Sequence, residues 1–122
     1  MIETLTNVPK NVAAFRAVGE VTKEDYEKVL VPKVQEVAKN NGEINFMYVI
    51  DTDLSDFTLG AWLRDALLGL EEFSKWNRAA IVTDSDTAVK FTNAFSVIAP
   101  GEYKGFSKNQ MQEALSWVAG SN

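Results

Sequence analysis

INFMYVIDTDLSDFT, residues 44–58, decides the fold. Six of the seven residues from Ile44 to Ile50 are apolar, too continuous a run for a strand with one wet face, so the segment reads as a strand covered on both sides. Asp51, Asp53, Ser55 and Asp56 then mark a polar turn, and Thr58 caps a helix in which Leu59, Trp62, Leu63, Ala66, Leu67, Leu70 and Phe73 recur at helical spacing. A buried strand handed through a polar turn to an amphipathic helix is the repeating unit of an α/β sheet.

The flanking sequence extends this unit in both directions. Upstream, MIETLT and VAAFRAVG (12–19) read as strands separated by NVPKN, the pattern of a hairpin. A first helix follows, with Thr22 as N-cap, Asp25 three residues on, and Tyr26, Val29, Leu30, Val34 and Val37 on one face. It closes at NNG (40–42), and Pro32 predicts a kink or a restart within it. Downstream, RAAIVTD (78–84) reads as a second buried strand, and Ser85 caps a third helix carrying Ala88, Phe91, Phe95 and Ile98. Pro100 and Gly101 end that helix. EYKGF (102–106) reads as a short last strand, and Ser107 caps a final helix with Met111, Ala114, Leu115 and Val118. Trp76 and Trp117 are each expected at a helix end. The order is ββαβαβαβα over a single domain, 1–122. It predicts an α/β fold with a mixed, mostly parallel sheet of four or five strands and helices packed on it.

Composition narrows the chemistry. The chain has 122 residues, no cysteine and no histidine, so thiol chemistry, disulfides, the usual neutral-pH base and the commonest transition-metal ligand are all missing. Its net charge of −5 comes with basic residues scattered from Lys10 to Lys108, which disfavours nucleic acid as a partner, because phosphate neutralisation needs a concentrated basic face. No window is long and apolar enough to span a bilayer, and the start lacks a secretory pattern. The expected location is cytoplasmic, with at most peripheral contact at the inner membrane. No cofactor is expected.

The acidic turn supports several readings. Loops at the carboxyl ends of parallel strands form the usual site of such sheets, and DTDLSD (51–56) and TDSDT (83–87) lie side by side if their strands are neighbours. Asp51, Asp53 and Asp84 are then weak candidates for a magnesium ion. An apolar strand followed by Asp-x-Asp-x-Ser looks like the nucleophile motif of the haloacid dehalogenase group. That resemblance implies attack on phosphorus by Asp51 with Mg²⁺ neutralising the phosphate, although no paired aspartates or well-placed lysine appear downstream. An EF-hand fails at Asp56, where glycine is needed, and at Trp62, where glutamate is needed. The plainest account is that carboxylates and hydroxyls at a strand-to-helix turn satisfy free N–H groups and the helix dipole.

VTKEDYEKVLVPKVQE (21–36), KWNRAAIVTDSDTAVKFTNAF (75–95) and GEYKGFSKNQMQEALSWV (101–118) carry a wider resemblance. In this order they resemble the SpoIIAA-like family of small bacterial proteins, relatives of the STAS domains. The resemblance implies a STAS-like fold, also compared with lipid-carrying CRAL-TRIO domains, and a binding or regulatory role without established enzyme activity. In the related anti-sigma-factor antagonists a serine in the turn after the third strand is phosphorylated. Ser55 and Thr58 occupy that turn here, but the usual Asp-Ser followed closely by Gly is missing.

The second and third helices are richer in apolar residues than one buried stripe requires: Leu68, Val89 and Val97 fall off the core-facing arcs. This excess predicts a lining or lid for a hydrophobic, lipid-like small molecule, or a surface for transient membrane contact, built from Phe57, Trp62, Leu63, Leu67, Phe91, Phe95 and Ile98. A homodimer that buries the same surface, and a STAS-type protein-interaction regulator, are the alternatives. A small Mg²⁺-dependent phosphohydrolase ranks below both.

Overall fold

The computed structural model describes residues 1–51, 75–84 and 101–120. These contain a five-stranded sheet in the order β1 (Ile2–Thr4), β2 (Val12–Val18), β3 (Ile44–Asp51), β4 (Trp76–Val82) and β5 (Glu102–Phe106). The β1–β2 pair is antiparallel and the other three pairs are parallel, so the expected mixed, mostly parallel α/β sheet is what the chain forms. The second and third helices expected from the sequence fall outside the described residues. One expectation is corrected: Trp76 does not end a helix but begins β4, 4% exposed, with its ring centroid 5.3 Å from that of Phe46. Polar Asn77 and Arg78 interrupt the apolar pattern right after it, which moves the apparent strand start two residues downstream.

Both sheet faces are apolar, and strand alternation sends neighbouring residues to opposite sides. Phe15, Phe46, Tyr48, Ile50 and Ile81 pack with Tyr26, Leu30, Val34 and Val37 on one face. Val12, Ala14, Met47, Val49, Ala80, Val82 and Phe106 pack with Ala114 and Val118 on the other. The final helix, α3 (Met111–Ala119), presents Ala114 and Val118 to this second face. Met111, expected in the core, is 38% exposed near the start of the helix.

The first helix shows what Pro32 does. The Thr22 side chain accepts from the Asp25 N–H at 3.3 Å and the Asp25 carboxylate accepts from the Thr22 N–H at 2.8 Å, a reciprocal cap that starts α1 (Lys23–Asp25). Pro32 has no N–H for the Lys28 carbonyl, and its ring crowds that oxygen. The chain accommodates this with a π-helical turn over Tyr26–Leu30, in which the Val31 N–H reaches back five residues to the Tyr26 carbonyl. Helix α2 (Val31–Asn41) restarts with the proline in its first turn and ends at Gly42 in the left-handed region, as the sequence predicts.

The wider turn holds Tyr26 against Tyr48, their hydroxyls 3.1 Å apart and both side chains buried. Burial, the largest cause at each, raises both hydroxyls, Tyr26 to about 12 and Tyr48 further, so the pair stays neutral at ordinary pH. Tyr26→Phe and Tyr48→Phe are each expected to cost about 1–2 kcal/mol by stranding a buried hydroxyl, while the double variant costs less than the sum. Urea denaturation of the four-member cycle checks this, and strict additivity would contradict it.

Candidate functional site

The carboxyl ends of β2, β3 and β5 bring three charged side chains together. Val18 pairs with Asp51 across β2 and β3, so Arg16, two residues back on the same face, reaches diagonally to the carboxylate at the strand end. Its guanidinium donates to Asp51 Oδ2 at 2.5 Å. Lys108 follows β5 by two residues, and its Nζ donates to Asp51 Oδ1 at 2.6 Å. The backbone N–H of Lys108 donates to Asp84 Oδ1 at 2.9 Å, while the Thr83 N–H donates to the Phe106 carbonyl at 2.9 Å and fastens the end of β4 to β5. Asp84 and Asp51, from neighbouring strands, thus meet on one residue.

Each oxygen of Asp51 faces its own cation. The hydrogen bond from Arg16, followed by that from Lys108, lowers the Asp51 pKa to about 2, and Asp51 in turn raises that of Arg16. Asp51 is therefore ionised at any ordinary pH. Because its folded pKa lies below its unfolded value, its stabilising contribution is complete above about pH 4 and is lost as pH falls toward 2. Asp51→Asn is expected to flatten the fall in stability across that acid window and to leave the shape of the profile above pH 5 unchanged, as measured by thermal melts over a pH series. The three side chains are 32–46% exposed, so solvent screening keeps this contribution small.

Chemically, the arrangement is a carboxylate held between two cations. To attack phosphorus or ligate magnesium, Asp51 would have to release at least one of them. Among the described residues no group of three or more carboxylate, histidine or cysteine side chains gathers as a metal site. The lysine that the dehalogenase-like reading lacked is nonetheless present in space: Lys108 lies 57 residues downstream of Asp51, brought alongside by the register of β4 and β5. Asp53, Ser55, Phe57, Thr58, Trp62, Leu63, Leu67, Phe91, Phe95 and Ile98 lie outside the described residues.

Sequence reasoning passed over Arg16 and Lys108. Arg16 had a readable signal, as the one charged residue in the otherwise apolar VAAFRAV. Lys108 had none, since its partner is fixed only by strand order. The opposite ends of these strands are polar but committed to structure. Buried Asn45 donates to the Asn11 carbonyl and to Glu43, both at 3.1 Å, and accepts from Asn77 at 2.9 Å, at the point where the β3–β4 register shifts. Arg78 donates to the Trp117 carbonyl at 2.6 Å, pairs with Glu102 and lies over the Trp117 ring, which anchors α3.

Comparison with known proteins adds one result. No curated protein and no solved structure matches the chain. A protein-family model described as SpoIIAA-like matches residues 12–119, from the first residue of β2 to the last of α3. Since that match takes in the whole parallel part of the sheet together with Arg16, Asp51 and Lys108, the chain belongs to the SpoIIAA-like family.

Proposed function

We propose that this protein is a non-catalytic binding module that takes up a hydrophobic, lipid-like small molecule or makes transient membrane contact. The observation that carries the non-catalytic part is the double pairing of Asp51: the residue best placed to be a nucleophile has both oxygens occupied by Arg16 and Lys108. Membership of the SpoIIAA-like family, whose members are generally non-enzymatic regulators, supports the same reading. The hydrophobic part rests on composition. Helices among the described residues already pack on both sheet faces, and 54–73 and 86–98 add Phe57, Trp62, Leu63, Leu67, Phe91, Phe95 and Ile98 beyond them. No helix among the described residues is long and apolar enough to cross a membrane.

Native mass measurement of gently purified protein, with organic extraction of the same sample, tests this. The expected result is a stoichiometric apolar species that is lost in Trp62→Ala or Phe95→Asp without unfolding. An empty protein that also ignores added fatty acids and liposomes overturns it. The family also favours a second reading, a protein-interaction regulator, because STAS domains often mediate protein–protein contact. A change in partner binding on Ser55→Ala with Thr58→Ala is the result that reading expects, and an unchanged interaction counts against a phosphorylation switch. A homodimer would appear as doubled native mass.

A further inference from the structure

Arg16 and Lys108 converge on Asp51 from two strands that are not neighbours, β2 on one side of β3 and the segment after β5 on the other. One carboxylate between two cations leaves the trio with one net positive charge, in a chain whose net charge is −5. Asp84, which accepts from the Lys108 backbone N–H, and Glu3, registered opposite Arg16 on β1, add negative charge beside the trio, so what the site offers an anion is the donor geometry of its two cations and not an excess of positive charge. Arg78, by contrast, is held by Glu102 and the Trp117 carbonyl. The trio also lies at the carboxyl ends of the parallel strands, and its side chains are 32–46% exposed, so solutes can reach it.

We propose that Arg16 and Lys108 form an oxyanion-binding site in which the Asp51 carboxylate is a built-in stand-in for the ligand's own carboxylate or phosphate. A guanidinium and an ammonium arranged around two carboxylate oxygens present the donor geometry that an external carboxylate or phosphate needs. An entering oxyanion displaces Asp51 from one or both cations, and the freed Asp51 carboxylate turns to solvent. Binding therefore uncouples β3 from the start of the final helix. The site stands apart from the hydrophobic reading above, since a free oxyanion needs no apolar lining. An amphiphile's headgroup would join the two.

The test titrates the intact protein with inorganic phosphate, decanoate and uncharged decanol, followed by calorimetry and by the backbone amide resonances of residues 16, 51 and 108. Wild type is expected to bind phosphate or decanoate weakly, with shifts at those residues. Asp51→Asn, which removes the competing charge and keeps the side-chain shape, is expected to bind about tenfold tighter. Arg16→Gln with Lys108→Gln abolishes binding. Phosphate binding without decanoate preference assigns a free anion, and preference for decanoate over both phosphate and decanol assigns an amphiphile headgroup. An Asp51→Asn variant that binds no tighter than wild type overturns the proposal, as does decanol binding equal to decanoate. If the double variant does not fold, the gain in Asp51→Asn decides alone.

Discussion

Gly101→Ala and Leu30→Ala are two substitutions expected to be strongly destabilising, and the first lowers the unfolding free energy by roughly 2–5 kcal/mol. Gly101 sits just before β5 with φ at +94°, where an L side chain is strained, and a Cβ built there meets the Asn77 carbonyl oxygen at 2.5 Å and that of Trp76 at 2.8 Å. Both are backbone atoms at the start of β4, so neither can swing aside as a flexible side chain would. Relief requires β5 to draw away from β4 at Arg78↔Glu102, the first rung of their pairing. Gly42→Ala is the matched control. Its φ is +75° at the end of α2, but nothing lies within 4 Å of the added carbon, so it carries only the left-handed penalty of roughly 1–2 kcal/mol. Equal losses in urea denaturation would show that the close approach at Gly101 has no energetic weight.

Leu30→Ala is the second. Leu30 is 0% exposed, at the last position of the π-helical turn, in the cluster formed by Phe15, Phe46, Tyr48 and the helix residues Tyr26 and Val34. Truncation removes its packing and leaves a void that the sheet below cannot close, for a loss of about 2–5 kcal/mol. Leu30→Met, close in volume, is expected to cost less than about 1.5 kcal/mol. A loss below about 1 kcal/mol for the alanine variant in equilibrium denaturation would mean that the first helix is not seated on the sheet at this turn.

How much of this was legible in the sequence depended on whether the cause was local. The hairpin, the Thr22 cap, the restart at Pro32, the stop at Gly42 and the limits of EYKGF all follow from residues within a few positions of each other, and the structure reproduces them. Trp76 was misplaced because a β4 opening of Trp-Asn-Arg carries no alternation; its strand character comes from pairing with Ile44 and packing on Phe46. At the candidate site, Asp51 stood out as the first acid after a buried strand. Its partners did not, because Arg16 and Lys108 meet it through register alone. The resemblance to the SpoIIAA-like family was readable from three dispersed segments, and the match over 12–119 agrees with it.

Strand order equals chain order in this sheet, so each new strand finds its neighbour already in place as the polypeptide leaves the ribosome. The last helix breaks this accretive logic. The carbonyl of Ala119 accepts from Asn11, 108 positions earlier, and Ala114 and Val118 cover apolar residues of strands made long before. During synthesis the face bearing Val12, Ala14, Met47 and Val49 awaits Ala114 and Val118 until residues 111–119 have emerged. A nascent chain stalled before residue 111 therefore leaves that face without Ala114 and Val118, open to chaperones and to aggregation.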